Sequence, residues 1–196
     1  VFQKLSLVTL AGILIGWSHC PAEDTTTKST VKTQAASGRM VLQIEINRPT
    51  ATRRYRNPYV AVWLEDEDKF PVKTIALWIM QDRPGPRWYP DLKQWYRGDR
   101  LRTLVDDADL IDGMSGATRS PGKYKVAWDG ADDAGAPLAA GKYTLMVESA
   151  REHGSYQLIK HEIEIGKSLQ KELKGNSEIK SVSLDYQVTT KTAPRG

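Results

Sequence analysis

From residue 40 to 46 the apolar side chains of Met40, Leu42, Ile44 and Ile46 alternate with Val41, Gln43 and Glu45. That period of two is the mark of a half-buried strand. β-Rich runs recur at 59–65 (YVAVWLE), 72–80 (VKTIALWIM), 123–128, 142–148, 156–165 and 179–188. In the last of these, Val182, Leu184, Tyr186 and Val188 alternate with Ser181, Ser183, Asp185 and Gln187. A charged turn, Asp66-Glu67-Asp68-Lys69, separates the second run from the third. Seven strands with turn-rich joints and little helix predict an all-β chain, an antiparallel immunoglobulin-like β-sandwich. The exception is 83–111, where Leu92, Trp95 and Tyr96 fall at i, i+3 and i+4 and Leu101, Leu104 and Val105 repeat the spacing. This predicts a helical insertion of one or two short helices between strands, a common location for function. The polar run 171–176 reads as a connector.

The ends follow a different pattern. Lys4 precedes an apolar stretch over 5–17, shorter than the roughly 18 to 20 residues a membrane-spanning helix needs. A basic head, a short apolar run and small residues up to Ala22 predict a signal peptide over 1–22. Cys20 offers an alternative as a lipid-bearing residue, against which stand the bulky Trp17 and His19 just before it. Residues 23–38 read as a flexible linker, 39–190 as the sandwich domain and 191–196 as a disordered tail. Cleavage after Ala22 leaves a secreted, periplasmic chain that is not itself transmembrane.

Composition narrows the chemistry. Cys20 is the single cysteine, so the mature chain has no thiol and no disulfide. Thiol catalysis, cysteine zinc sites and iron–sulfur clusters are thereby excluded. His153 and His161 remain, too few for a recognisable metal site; His161 alternates with Ile159 and Ile163 and reads as structural. A net charge of +4, spread along the chain, does not argue for nucleic acid. No serine–histidine–aspartate arrangement, phosphate-binding glycine loop or catalytic carboxylate pair is defined by spacing, so a hydrolase is the weakest of the readings.

One short run carries chemistry: Asp112-Gly113-Met114-Ser115-Gly116-Ala117-Thr118. It resembles the D-G-x-[S/T]-G-A-T acceptor motif of proteins that carry covalently bound FMN, among them subunits of sodium-pumping quinone reductases and small extracytoplasmic FMN-binding domains. A motif this long arises by chance in on the order of one chain of this size per thousand. The resemblance implies that an FAD-dependent flavin transferase joins FMN phosphate to the Thr118 hydroxyl. It also implies that the transferase, or its bound metal, reads Asp112. Gly116 and Ala117 leave the backbone beside Thr118 open to another enzyme's cleft, with Ser115 part of the same motif. Arg119 and Lys123 lie close enough in sequence to offset the phosphodiester charge. The bland alternative is a Ser/Gly/Thr/Pro turn leading into the next strand.

The runs YRNPYVAVWLEDED, RWYPDLKQWYRGD, DGMSGATRSPGKYKVAWDG and VESAREHG together resemble a bacterial family of predicted periplasmic proteins, a domain of unknown function. The likeness covers roughly 40–166. It implies a periplasmic redox role beside PepSY-type membrane proteins and flavin transferases. Trp128-Asp129-Gly130, Asp132-Asp133, Gly135, Pro137-Leu138, Gly141 and Tyr143 resemble the immunoglobulin-like hairpin of the flagellar hook-capping protein. There Trp128 and Tyr143 anchor two strands inward, and the acidic residues supply turn chemistry or, alternatively, calcium ligands.

Trp88, Tyr89, Trp95 and Tyr96 are interleaved with Arg83, Arg87, Lys93, Arg97, Arg100 and Arg102. Such a mixture suits packing, flavin stacking or single-stranded nucleic acid, the last opposed by export. Pro58, Tyr59 and Trp63 read as packing. His153, in the turn Arg151-Glu152-His153-Gly154, is placed either to meet a flavin carbonyl or as an exposed loop histidine beside an Arg–Glu pair. Two functional expectations follow. One is a periplasmic electron-transfer flavoprotein bearing FMN on Thr118 and working with a membrane redox partner; the other is a cofactor-free binding or scaffold module.

Overall fold

The computed structural model describes residues 38–48, 55–106, 111, 115–152 and 154–189. The expected signal peptide, the linker up to residue 37 and the tail lie outside these residues. Gly38, assigned to the linker's end, instead opens the first strand.

Strand β1 (Gly38–Ile46) buries the alternating row Met40, Leu42, Ile44 and Ile46. It pairs antiparallel with β9 (Ile179–Val188), setting Leu42 opposite Leu184, and with β5 (Gly122–Trp128), setting Met40 opposite Trp128. With β8 (Leu169–Lys174) at the edge, these form a four-stranded sheet ordered β5-β1-β9-β8. A five-stranded sheet is ordered β4 (Ser115–Gly116), β3 (Pro71–Trp78), β2 (Tyr59–Glu65), β6 (Gly141–Ala150), β7 (Tyr156–Ile165). The β3–β4 pair is parallel and the others antiparallel. Between the sheets, Val60, Val62, Leu64, Leu145, Val147 and Ile163 meet the β1 and β9 rows in one core. The all-β sandwich with a short helical insertion is therefore the architecture of the chain.

The solid apolar run of β2 has a second cause. Its alternate residues Tyr59, Ala61 and Trp63 face outward into another cluster, with Leu77, Ile79 and Met146. The insertion covers them: a 3-10 helix (Gly85–Asp91) leads into α1 (Lys93–Asp106), which buries Leu92 just before it and Trp95 in its first turn. The expected helical insertion is thus a 3-10 helix followed by α1, and Leu101, Leu104 and Val105 face solvent at 45%, 82% and 64% exposure.

Two polar anchors hold α1 down. The fully buried Glu148 of β6 accepts the backbone N–H of Gln94 at 2.9 Å and of Trp95 at 2.8 Å, a carboxylate set against a helix N-terminus. Burial raises its pKa, opposed by those backbone bonds and by the Tyr156 hydroxyl. Farther along, the buried Arg102 donates to Asp133 and to Thr74 Oγ1 (3.3 Å), with Asp99 at 3.4 Å. Asp133 also accepts the Thr74 N–H at 3.0 Å and lies 3.4 Å from Lys73 Nζ.

Two expectations change. The segment from β5 to β6 is no hairpin: β5 pairs with β1 and β6 with β2 and β7, so the turn bridges the two sheets as an arch. Trp128 and Tyr143 do anchor inward, Trp128 stacking on Tyr186 with ring centroids 6.3 Å apart. Gly130, at φ +93°, lies so close to β1 that a Cβ would sit 2.7 Å from the Gly38 carbonyl. The acidic residues serve the arch. Asp129 accepts from Ala131 N–H at 3.3 Å, Asp132 from Ala136 N–H at 2.8 Å, and Asp133 holds Arg102. Finally, the polar run at 171–176 is mostly strand β8, whose Leu173 is buried and whose other face is wet.

Candidate functional site

Strand β4 consists of the Ser115-Gly116 step of the acceptor-like motif, laid parallel to β3 with Ser115 opposite Leu77 and Gly116 opposite Trp78. Its last carbonyl, on Gly116, takes the Ile79 N–H at 2.9 Å. The chain then leaves the sheet edge, exposing Ala117 and half-burying Thr118. A Cβ on Gly116 would meet Trp78 Cδ1 at 3.7 Å, an ordinary contact, so the fold does not require glycine there.

Thr118 forms part of the wall of a cavity of about 320 Å³. The other walls come from the approach to β2 (Arg56, Asn57) and its first residue Tyr59, from the end of β6 and just beyond it (Ala150, Glu152), and from the stretch after β3 through the 3-10 helix (Met80, Pro84, Trp88, Asp91). The apolar floor is tightly built. Tyr59 donates its hydroxyl to the Gly85 carbonyl at 3.0 Å, Tyr89 donates to the Met80 carbonyl at 3.2 Å, and the two rings lie 6.2 Å apart. Burial raises the pKa of Tyr59, so it stays a hydrogen-bond donor. A side chain on Gly85 would collide with the Met80 carbonyl, its Cβ 2.0 Å from that oxygen. At the rim Arg56 pairs with Glu152.

The other sequence candidates divide. Arg119 is exposed beside Thr118, its guanidinium 5.7 Å from the ring centres of both Trp78 and Tyr124. Ser115 takes a hydrogen bond from the Gln81 amide, so its hydroxyl is tied to the chain. Lys123 is drawn away to Glu45 at 3.8 Å. Asp112 and His153 lie outside the described residues. The pairing beside His153 differs from the expected neighbour pair, since Arg151 binds the buried Glu178 at 2.7 Å and Glu152 binds Arg56. Trp95 and Tyr89 are buried, and Trp88 and Tyr96 pack against them, so the aromatic–basic run is chiefly packing. His161 is half-buried on β7.

Among the described residues no cluster of three metal-ligating side chains forms. Sequence alone does not reveal the cavity, because four separated segments supply it; of its lining, Thr118 carries the acceptor expectation and Trp88 a stacking one.

Comparison with known proteins adds one match. The family described as a predicted periplasmic protein (DUF2271) matches residues 40–181. No curated protein matches the chain. Among the described residues no helix is long and apolar enough to cross a membrane.

Proposed function

For this chain, which belongs to the DUF2271 family of predicted periplasmic proteins, we propose a role as an electron carrier with FMN esterified to Thr118. The observation that carries this reading is the position of Thr118: half-buried, one residue beyond the exposed Ala117, on the wall of an aromatic-lined cavity. The residues fit the group in three respects. Gly116 and Ala117 present the hydroxyl without side-chain cover, Arg119 supplies a neighbouring cation for the phosphodiester, and Tyr59 and Trp88 supply flat apolar surface.

Attachment uses a flavin transferase and FAD. The Thr118 oxygen attacks the FMN-side phosphorus, the bond to the AMP oxygen breaks, AMP leaves, and the threonine proton passes to a base on the transferase. A flavin held there would supply reversible electron transfer with a PepSY-type or other membrane redox partner, and the chain's part would be to place it through Thr118 and shield it with Tyr59 and Trp88. To test this, the protein is co-expressed with a flavin transferase in an exporting host and its intact mass is taken. An FMN-sized increment is expected, and Thr118→Ala should abolish it. An unmodified mass in the presence of an active transferase refutes the proposal.

A second reading, a cofactor-free binding or scaffold module, is favoured by the exposed Leu101, Leu104 and Val105 on α1, with Arg97 and Arg100 beside them. Trp95 is buried and belongs to the fold, so the discriminating changes are Leu104→Asp and Arg97→Glu. On this reading the protein purifies colourless with a partner, and those changes release it.

A further inference from the structure

Thr118 fixes where a flavin is bonded, and the cavity beside it bears on where the ring goes. We propose that this cavity is a binding seat for the isoalloxazine ring, with Trp88 as its stacking face, and that it recognises the ring whether or not the bond to Thr118 exists. The identity of the ring rests on the FMN reading above. At about 320 Å³ the cavity is at the small end of ligand sites, which run from about 300 to 1,000 Å³. It suits a rigid three-ring head, and Thr118 on its wall stands within reach of the ribityl phosphate.

The walls sort as a flat heteroaromatic would require. Tyr59, Met80, Pro84, Trp88 and Ala150 are apolar or aromatic, while Asn57, Asp91 and the paired Arg56 and Glu152 supply the polar groups. Arg87, which is not part of the wall, covers the Trp88 ring at 4.8 Å and braces it. The Tyr59 hydroxyl is engaged with Gly85, so its ring is held in place. A short tether holds its ligand at an effective concentration in the millimolar range, so a seat binding free flavin at about 0.1 mM would be about nine-tenths filled after attachment. A modest seat therefore suffices to hold the ring inside.

The experiment reads flavin emission in the mass-verified FMN adducts of the full chain and of Trp88→Phe, which preserves an aromatic wall, with melting temperature as the folding control. Trp88→Leu is the harsher companion. A seated ring stacked on indole is quenched several-fold relative to free FMN, and Trp88→Phe restores much of that emission at unchanged mass. Adduct emission equal to free FMN and insensitive to Trp88 overturns the seat while leaving the bond at Thr118 standing. If no adduct forms, the bond fails separately, and equilibrium dialysis of the unmodified chain against FMN decides the seat. Binding below about 1 mM that weakens several-fold in Trp88→Phe supports it. Absence of binding at that concentration overturns it.

Discussion

Replacing Glu148 tests how the wall of the site is held in place. The carboxylate lies on β6, accepts two backbone bonds from the first turn of α1, and is fully buried. In Glu148→Ala, two charge-assisted hydrogen bonds of about 1.5–3 kcal/mol each disappear, and the helix start loses its cap. Against this, the protein no longer buries a charge, so the net loss is about 2–3 kcal/mol. For a domain of this size that lowers the melting temperature by roughly 4–12 °C. The pH dependence gives a second, independent readout. Burial lifts the Glu148 pKa above its ordinary value of 4.5, so the folded chain holds this proton more tightly than the unfolded chain does. The stability gained from the protonated group is complete below that ordinary value and is lost as pH rises through the raised one. Urea unfolding from pH 4 upward, followed by tryptophan fluorescence, should show this descent in the native chain and its absence in Glu148→Ala. A variant melting within a degree of the native chain refutes the account of the anchor. A native stability that climbs through the same window, with the variant unchanged, refutes the raised pKa.

Two further outcomes concern the motif and the arch. Gly116→Ala meets ordinary contact distances, so its stability should change by less than about 0.5 kcal/mol. Its modified fraction, read by intact mass after a short co-expression, should nevertheless fall if an open backbone serves the transferase. Asp133→Ala removes the acceptor shared by Arg102, Lys73 and the Thr74 amide. It leaves Arg102 buried without its main partner and should cost about 3–5 kcal/mol. Denaturant titration checks this, and a loss under about 1 kcal/mol would show the cluster to be dispensable.

The sequence revealed what is local and periodic. The β1 row is legible because one of its faces is core and the other water, which enforces alternation. β2 reads as a strand by its residue types, whereas the cause of its unbroken apolar run, the covering of its outer face by Leu92 and Trp95, is a contact distant in sequence. β8 escaped notice because Lys171 interrupts its core-facing row between Leu169 and Leu173. The arch passed for a hairpin because turn chemistry specifies a reversal and not which sheet each strand joins. Thr118 was found through its neighbours in the motif. The cavity beside it was not, since residues 56–59, 80–91, 118 and 150–152 converge only through long-range pairing.

The placement of Glu148 also bears on timing. Helix α1 contains Gly98, has no acidic residue in its own first turn, and is too short to be firmly helical alone. Its initiating amides await a side chain 53 and 54 positions downstream. As a periplasmic chain threads outward from its N-terminus, the segment that becomes α1 arrives before the strand that fastens it. Emergence and consolidation thus run in opposite order at this spot, and the loop bearing Thr118, lying between the two in the chain, is delivered while its surroundings are still unfinished.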